Sequence, residues 1–555
     1  MRHGGLAQEP PDATFAVNTE LHYSGMDDPD RWVFPRVLEE QARRQPDATW
    51  FQSTEGESLT FGEAARDAQQ VAGYFASLGI NPGDRIAVML PNCADFVRVW
   101  TGLGRLGAVE VLLNTELRGP FLEHQLRNCG AELAVIDPAY ATILAEVAPR
   151  VPTLKRVILT GSEPGGSGLP GPMDLAEWRT AGAWDGPMPR SHDIACIMYT
   201  SGTSGPAKGV LMPHAHSTLF GIGAVRCLEL GPADKYYIVL PLFHANGLLI
   251  QLGSSLLAGI PAVVRPRFSA SAWLSDLRTF RPTVTNTLGA IAAFIVAQPA
   301  TPEDRDHCLR AVINVPNVQA HEAIFRERYG VKDVVSAYGM TEVNIPIWGK
   351  LGRSVPGAAG WVPAEHFEMV IADAETDRPL KPGEVGEILV RPKVAFGFMA
   401  GYYAMPEKTV EAWRNLWFHT GDAGMMDESG LLTFVDRIKD CIRRRGENIS
   451  AAEVEEAIAP LDGIAEIAAC AVPSDIKGGE DEILLSVVLA PGASLTPQAI
   501  VEYADRVLPR FARPRYVRLL AELPHTATGK VQRAVLRQPG SEGAWDRQAE
   551  SGGSA

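Results

Sequence analysis

Short apolar runs rich in β-favouring residues alternate along this chain with segments whose apolar residues recur at helical spacing. The run 85–90 (RIAVML) follows one such helical segment, residues 61–78, which ends at Gly79. Further runs of this kind cover residues 131–137, 156–160, 194–200, 236–242, 261–266 and 282–288. Strands separated by helices are joined by crossovers, so neighbouring strands are parallel and both sheet faces are covered. The first half of the chain therefore predicts a largely parallel α/β sheet.

The pattern changes after about residue 349. The runs EMVIAD, GEILVR and LLTFVD are separated by the turn signals KPGE and DESG, which is typical of an antiparallel meander or a small barrel. From about Lys439 onward, a helical stretch at 451–459 and further strand-like runs predict a separate small α/β domain of about 100 residues. Residues 1–28 are polar and proline-rich and predict a flexible arm, and residues 539–555 predict a disordered tail.

Charge and cysteine usage exclude several classes of protein. The chain has 66 acidic and 51 basic residues and a formal net charge of −15, which argues against a protein that coats nucleic acid or an anionic membrane. The N-terminus lacks the apolar run of a signal peptide, and the most apolar windows are too short or too interrupted to span a bilayer. The seven cysteines are scattered and form no CxxC pair, so we expect neither disulfides nor a zinc site, but a reducing cytoplasm.

The strongest local motif is the segment 199–209 (YTSGTSGPAKG), which directly follows the apolar run 194–198. Hydroxyl side chains, glycines and one lysine in a loop can surround phosphate oxygens with backbone N–H groups, hydroxyls and a cation. The segment is not a Walker A motif, because Gly does not precede Lys208 and no Ser or Thr follows it. A flexible surface linker has the same composition, but the position after a strand and the lysine favour phosphate binding.

Four more motifs follow in order: YGMTE at 338–342, TGD at 420–422, DRIKD at 436–440 with GEN at 446–448, and TGK at 528–530. Together with the loop they resemble the acyl-adenylate-forming superfamily of acyl-CoA synthetases, peptide-synthetase adenylation domains and firefly-type luciferases. Each motif is weak alone, but five in order are specific. The stretches 298–315 and 436–450 are similar to the crotonobetaine/carnitine–CoA ligase branch of that superfamily.

The resemblance implies an α/β fold with a β-barrel part. The large N-terminal domain, residues 29–437, would contain two doubly wound sheet subdomains and a small barrel. Residues 438–538 would form a small, mobile C-terminal α/β domain. In this family the small domain first presents a catalytic lysine for adenylation and then rotates to form the thiol-transfer site.

The resemblance also assigns roles around ATP. Glu342 would bind Mg²⁺ with the hydroxyl of Thr200 near the same ion, and hard oxygen ligands suit that metal. Thr341 would hydrogen-bond the α-phosphate, Tyr338 would stack on adenine, and Asp422 would accept hydrogen bonds from the ribose. The loop would contribute Thr200, Ser201, Gly202, Thr203, Ser204, Gly205 and Lys208 to phosphate binding.

Further roles fall on basic residues towards the C-terminus. Arg437 would assist at the ribose or the phosphates, and Lys530 would be the catalytic lysine that neutralises charge at the acyl carboxylate and the α-phosphate. Lys439 occupies the hinge position. Arg445 and Gly446 belong to a loop that would line the pantetheine tunnel, where the basic run 443–445 could bind CoA phosphates; a solvated basic face is the alternative.

The acyl pocket would include His244, Gly247 and Ala337, with His244 in the gating position or, as the alternative, a structural histidine. The chain departs from the family pattern at the adenine-binding segment, which reads VINVPN (312–317) instead of a Gly-Gly-Ala sequence, so the adenine contacts around Asn314 are left open. His525 replaces the usual Arg or Lys before the last motif, and nothing in the sequence explains that change.

The sequence thus predicts an ATP- and Mg²⁺-dependent carboxylic acid–CoA ligase that works through an acyl-adenylate. Two alternatives stay open: an adenylate-forming enzyme that passes the acyl group to a carrier protein or another acceptor, and a non-catalytic nucleotide- or acyl-binding paralogue. The expected partners are a small carboxylic acid, ATP and CoA, without nucleic acid or a transmembrane segment. The sequence leaves open the acyl group and whether the chain forms a homodimer.

Overall fold

A computed structural model describes residues 19–161, 168–200, 206–437, 441–444, 447–475, 480–524 and 531–550. The strands up to residue 348 are β1 (Thr49–Ser53), β2 (Ser58–Thr60), β3 (Arg85–Met89), β4 (Val109–Leu112), β5 (Leu133–Ile136), β6 (Arg156–Leu159), β7 (Pro172–Asp174), β8 (Ile194–Thr200), β9 (Lys208–Pro213), β10 (Tyr236–Ile238), β11 (Ala262–Val264), β12 (Val284–Leu288), β13 (Ala311–Val315), β14 (Asp333–Val335), β15 (Ala337–Met340) and β16 (Asn344–Trp348).

The helices of the same region are α1 (Phe34–Arg44), α2 (Phe61–Ser77), α3 (Ala94–Leu106), α4 (Gly119–Cys129), α5 (Ala141–Val147), α6 (His214–Cys227), α7 (Gly253–Ala258), α8 (Ala270–Phe280), α9 (Gly289–Val296) and α10 (Gln319–Glu327). A π-helix, Asn246–Leu252, leads directly into α7. Local sequence explains the sharp start of α2: Thr60 and Glu63 form a reciprocal capping box, with contacts of 3.1 and 2.8 Å.

The later strands are β17 (Phe367–Ala372), β18 (Val385–Pro392), β19 (Gly401–Tyr402), β20 (Trp413–Arg414), β21 (Trp417–Met426), β22 (Leu432–Arg437), β23 (Cys441–Arg444), β24 (Glu447–Ser450), β25 (Ile464–Val472), β26 (Glu482–Leu489), β27 (Tyr516–Leu520) and β28 (Trp545–Asp546). The later helices are α11 (Pro406–Ala412), α12 (Ala451–Ile458), α13 (Pro497–Val507), α14 (Arg533–Arg537) and α15 (Arg547–Glu550).

Two large sheets form the body of the molecule. One has the strand order β19-β9-β8-β4-β3-β5-β6-β7 and the other β14-β13-β12-β10-β11-β1-β2, and their central strands are parallel. Strands β4 and β5 are buried at every residue, as expected for parallel strands covered on both faces. The largest apolar core joins side chains of both sheets and of the helices α1, α2, α3, α6 and α7.

An antiparallel sheet follows, in the order β17-β18-β21-β20 with β22 paired to β21, and a final sheet has the order β25-β26-β27-β28. A second apolar core includes Phe121 of α4, Ile197 of β8, and Ile449 and Val454 of the C-terminal region. The C-terminal region therefore packs against the eight-stranded sheet. The predicted fold class, α/β with a barrel-type sheet and a C-terminal α/β region, is confirmed. Among the described residues no helix is both long and apolar enough to cross a bilayer.

The described parts of the two chain ends, residues 19–28 and 539–550, contain ordered contacts that the prediction of a flexible arm and a disordered tail did not include. In the described part of the predicted arm, the backbone N–H of Tyr23 donates to the carbonyl of Leu257 at 2.8 Å, and Tyr23 is buried. In the predicted disordered tail, β28 pairs with β27. Composition suggested disorder because these segments contain few apolar residues. Composition does not show which ionic partners the folded chain brings to them.

Ion pairs hold the tail in place. Asp546 accepts two hydrogen bonds from Arg515, at 3.1 and 3.0 Å, and Arg547 makes a bidentate contact with Asp505 at 2.6–2.7 Å. Arg515 is itself buried, so its charge requires a nearby carboxylate. The tail up to residue 550 therefore belongs to the folded C-terminal region.

Candidate active site

A cavity of about 460 Å³ lies where the two large sheets meet the barrel-type sheet. Its lining has two chemical parts. One part carries ionisable or hydroxyl groups from β8, β9, the β15–β16 turn, β19, β21 and the C-terminal hairpin β23–β24. The other part is uncharged and comes from α6, the π-helix, β12, β13 and the base of the β15–β16 hairpin. A cavity with this division can hold a polyanion beside an apolar group.

Glu342 is the centre of the polar part. It lies in the turn between β15 and β16 and is only 4% exposed. Its Oε1 accepts hydrogen bonds from the hydroxyl of Thr200, at the end of β8, at 3.0 Å and from the hydroxyl of Tyr402 at 2.9 Å. Burial, reinforced by the neighbouring carboxylate, raises the pKa of Tyr402, so its phenol remains a donor at neutral pH. We call Thr200, Glu342 and Tyr402 the carboxylate cluster.

Lys208 adds a cation beside this cluster. Its Nζ lies 4.1 Å from the centre of the Tyr402 ring, a cation–π contact. Strand β19, which carries Tyr402, pairs with β9, which begins at Lys208. One strand pair therefore supplies both the hydrogen bond to Glu342 and the positive charge next to it.

The backbone carbonyl of Thr341 contacts a ring nitrogen of His216 in α6. The ring nitrogens of His216 lie 2.8 Å from the Thr341 carbonyl oxygen and 2.7 Å from the Gly397 carbonyl oxygen. Burial lowers the pKa of His216 to about 4, although the two carbonyls would favour the charged ring. A neutral imidazole has one N–H, so at neutral pH it donates to one of these carbonyls at a time.

Asp422 of β21 forms a second acidic position in the cavity and is 5% exposed. Its Oδ2 accepts a hydrogen bond from the hydroxyl of Tyr338 at 2.9 Å, and the Tyr338 ring stacks on Phe434 with a centroid distance of 6.2 Å. The backbone of Arg437 in β22 lies opposite Asp422. The carboxylate is thus fixed by a neutral donor.

His244 lies at the junction of the polar and uncharged parts. Its Nε2 contacts Oε1 of Glu447 at 2.7 Å, and the amide of Asn114 donates to the same oxygen at 2.8 Å. Burial disfavours charge on His244, but the Glu447 carboxylate outweighs this effect and raises the His244 pKa. Because Glu447 belongs to the C-terminal hairpin, these contacts tie the C-terminal region to the cavity.

A second contact joins the C-terminal region to the predicted phosphate loop, residues 199–209. The backbone N–H of Ala207 donates to Oε1 of Glu453, in α12, at 2.8 Å. Burial raises the pKa of Glu453 to about 7 despite this hydrogen bond. The docking surface of the C-terminal region thus contains two groups whose protonated form is favoured: His244, whose pKa is raised, and Glu453, whose pKa is raised to about 7.

The structure brings many of the predicted site residues to this one cavity. Its lining includes Thr200, Lys208, His244, Ala337, Thr341, Glu342 and Asp422. Several predicted residues lie outside the described part of the chain: Ser201, Gly202, Thr203, Ser204, Gly205, Lys439, Arg445, Gly446 and Lys530. For Arg437 only the backbone is described.

Gly247 and Asn314 occupy other places than the cavity wall. A Cβ atom on Gly247 would lie 2.3 Å from the carbonyl oxygen of Pro241, so this glycine permits a close backbone approach and does not line the cavity. Asn314 is fully buried and accepts a hydrogen bond from Thr287 at 2.9 Å, while its neighbours Ile313 and Val315 line the cavity.

Sequence reasoning missed Tyr402, Asn114, the pairing of Glu447 with His244, and the cavity asparagine Asn286. None of them stands in a motif that indicates its contact. Glu447 belongs to the GEN motif, but that motif gave no partner for it.

Comparisons with known proteins place the chain in a family. The family model described as AMP-binding enzyme matches residues 38–403, and that described as AMP-binding enzyme C-terminal domain matches residues 453–530. The crotonobetaine/carnitine–CoA ligase of Salmonella typhi is 31% identical over 503 residues, which cover 88% of this chain and 95% of that protein. The protein of the same name from Citrobacter koseri is 31% identical over 506 residues, with the same coverage.

Solved structures of related enzymes superpose on this chain over most of its length. o-Succinylbenzoate CoA synthetase (MenE) from Bacillus subtilis, bound to its product analogue OSB-NCoA, is 25% identical and superposes with a TM-score of 0.76, covering 91% of this chain and 98% of that one. ATP-bound MatB from Rhodopseudomonas palustris is also 25% identical, with a TM-score of 0.65 and the same coverage. The resemblance found in the sequence is confirmed: this chain belongs to the AMP-binding enzyme family.

Proposed function

We propose that the chain is an ATP- and Mg²⁺-dependent carboxylic acid–CoA ligase. A carboxylate attacks the α-phosphate of ATP, which gives an acyl-adenylate and pyrophosphate; the CoA thiol then attacks the acyl carbon and releases AMP. The observation that carries this proposal is the single cavity in which the Glu342 and Asp422 carboxylates stand beside an uncharged pocket, with the C-terminal hairpin at its entrance. The CoA ligases among its relatives support the same reaction.

The carboxylate cluster fits a magnesium ion. Mg²⁺ prefers hard oxygen ligands and is commonly bound by one or two carboxylates, the substrate phosphates and water. The Glu342 carboxylate and the Thr200 hydroxyl provide such oxygens 3.0 Å apart. When bound, the metal would reduce the negative charge on the phosphates. Lys208 adds a fixed positive charge, and Lys530 would add another at the α-phosphate.

Asp422 and Thr341 would orient the nucleotide. The carboxylate of Asp422, which accepts a hydrogen bond from Tyr338, would also accept hydrogen bonds from the ribose hydroxyls. The Thr341 side chain lines the cavity while its carbonyl is anchored by His216. Such positioning matters because phosphoryl and adenylyl transfer depend mainly on alignment and on charge stabilisation.

We further propose that the observed domain arrangement is the one that forms the thioester. The hairpin β23–β24 reaches the cavity, with Arg443 and Glu447 in its lining. A narrower space of about 50 Å³, lined by Asn114, Phe121, His244, Glu447 and Phe511, adjoins it between the large and C-terminal regions. A slender pantetheine arm could enter there.

The acceptor can be tested directly. Incubation with acid and Mg·ATP should release pyrophosphate and form an adenylate that hydroxylamine traps as a hydroxamate. Addition of CoA should replace the hydroxamate by a thioester. Adenylate formation without any CoA-dependent product would favour a different acceptor, and absence of both would favour a non-catalytic paralogue.

The cysteines support a reducing location, which we propose to be the cytoplasm. The six cysteines whose side chains the structure describes form no disulfide, and four of them are buried. Burial raises the thiol pKa of Cys196, which keeps it protonated and unreactive at neutral pH. A homodimer stays a prediction.

A further inference from the structure

The uncharged part of the cavity, which we call the acyl pocket, has a nearly continuous apolar wall. It is formed chiefly by Phe220, Ile250, Ile313, Ala337, Ile345 and Trp348. Ala337 and Trp348 pair at the base of the β15–β16 hairpin, whereas Glu342 lies in its turn. Strand β15 has four residues, and at about 3.3 Å per residue it spans about 10 Å before the turn begins. The base of the pocket is therefore remote from the carboxylate of Glu342.

Trp348 makes the base a rigid wall. A Cβ atom on Gly223 of α6 would lie 2.6 Å from the indole nitrogen of Trp348, so the ring packs directly on the helix backbone. An acyl group that reaches this wall meets a fixed surface, and its shape and charge must match that surface.

The acyl pocket offers no opposite charge to a cationic acyl group. Within the described segments, the lining residues from α6, the π-helix, β12 and β13 include no aspartate or glutamate. Aromatic faces do recognise quaternary ammonium groups in proteins, but Phe220 and Trp348 stand here without a carboxylate from the same elements to balance the charge. Crotonobetaine and carnitine, after which the curated relatives are named, both carry a quaternary ammonium group.

One polar element interrupts the apolar wall. The hydroxyl of Tyr236 donates to Oδ1 of Asn286 at 2.6 Å, and the Asn286 amide nitrogen donates to Oδ1 of Asn246 at 2.7 Å. Tyr236 and Asn286 are fully buried, whereas Asn246 is partly exposed and lines the cavity. We call these three residues the amide relay.

The order of donors and acceptors along the amide relay is set by Tyr236, its buried end. Burial raises the Tyr236 pKa well above its ordinary value, so the hydroxyl keeps its proton. A buried hydroxyl that donates to nothing is unfavourable, and Asn286 is the acceptor that the structure provides. Both amides are thereby oriented with their oxygen towards Tyr236, and Asn246 presents its NH₂ group to the cavity.

From these observations we propose that the acyl pocket binds an uncharged, mainly apolar carboxylic acid that carries a hydrogen-bond-accepting oxygen, such as a carbonyl or ether oxygen, which the Asn246 amide contacts. The inference rests on the proposed function, since that function identifies the bound group as a carboxylic acid. It predicts that betaines with a carbon chain of the same length are poor substrates for this protein.

The charge part is tested with two acids of matched shape. Crotonobetaine is compared with (E)-5,5-dimethylhex-2-enoate, in which a tert-butyl group replaces the trimethylammonium group. Thioester formation with CoA gives kcat/KM for each. We expect the neutral acid to be favoured at least tenfold; equal or higher kcat/KM for crotonobetaine or carnitine would overturn the inference. Failure to form thioester with any acid would instead count against the proposed function.

The acceptor part is tested with medium-chain acids in which one methylene group, at successive positions, is replaced by a carbonyl group or an ether oxygen. At one position the oxygen should raise kcat/KM about five- to tenfold over the parent acid. The ratio between oxygen-bearing and parent acid should fall to about one in Asn246→Leu and persist in Ile313→Leu, which alters the wall without altering its polarity. A preference for the oxygen-bearing acid that survives in Asn246→Leu would overturn the proposed contact with Asn246. The absence of any preferred oxygen position would overturn it as well.

Discussion

The carboxylate cluster and the docking surface of the C-terminal region meet at the same cavity but are built differently. Glu342 accepts hydrogen bonds from two neutral hydroxyls, and both come from the large region. Glu447 and Glu453 instead join the two regions, through an ionisable histidine and a backbone amide. Neutral donors hold a group in place at every pH near neutrality, whereas ionisable contacts weaken or strengthen with protonation. The carboxylate cluster is therefore preset, whereas the contacts between the two regions depend on protonation.

The largest effect should follow from Glu342→Gln, which keeps the shape but removes the charge of the carboxylate cluster. Loss of a charge that acts on the transferring group costs about a hundred- to a thousandfold in rate. Pyrophosphate release should fall by that factor and need more Mg²⁺, while transfer from pre-made acyl-adenylate to CoA should change little. An unaltered Mg²⁺ requirement would contradict the metal role of Glu342.

A smaller effect is expected for Tyr402→Phe, which preserves the ring beside Lys208 and removes one hydrogen bond to Glu342. A hydrogen bond to a charged group contributes about 1.5–3 kcal/mol, so the adenylation rate should drop by about one to two orders of magnitude. Thr200→Val removes the other hydroxyl and is the matched comparison. If neither variant alters adenylation, the cluster is not preset by these hydroxyls.

Glu453→Gln should have the smallest effect and should appear mainly in the pH profile. The Glu453 pKa is raised to about 7 in the docked arrangement, above its ordinary value near 4.5, so docking is favoured when this carboxyl is protonated. This contribution is complete below about pH 4.5 and is lost as pH rises through 7. Thioester formation from acyl-adenylate should therefore decline over that range in the wild type by a factor of a few.

His244 contributes with the same sign. Its pKa is raised by Glu447, so its contribution is also complete at low pH and disappears as pH rises through the raised value. Glu453→Gln should flatten the decline without abolishing it, and the remaining dependence should belong to His244. A profile that Glu453→Gln leaves unaltered would mean that Glu453 does not control docking.

Much of the fold and half of the site could be predicted from the sequence. Strands β3 and β5 are short buried runs that follow helices, which is a local signal. Thr200 ends β8 and Thr341–Glu342 follow β15, and motifs located all three residues although β8 and β15 belong to different sheets. The C-terminal tail could not be predicted, because the ion pair between Arg547 and Asp505 joins residues 42 positions apart.

The remaining site contacts depend on long-range pairing. Tyr402 reaches Glu342 across 60 positions, and Glu447 reaches His244 across 203. Tyr402 belongs to no recognised motif. Glu447 belongs to the GEN motif, but its partner His244 is found only when the large and C-terminal regions pack together. The amide relay is equally hidden, since Tyr236 and Asn286 are ordinary strand residues until β10 and β12 pair.

The central claim is that the observed arrangement forms the thioester and that Glu447 maintains it. The most direct measurement is of both half-reactions in Glu447→Gln, with Lys530→Ala as the opposite variant. Glu447→Gln should leave pyrophosphate release close to the wild-type rate and slow CoA transfer from pre-made acyl-adenylate about tenfold or more. Lys530→Ala should abolish adenylation and spare the transfer. Equal loss of both half-reactions in either variant would contradict the account.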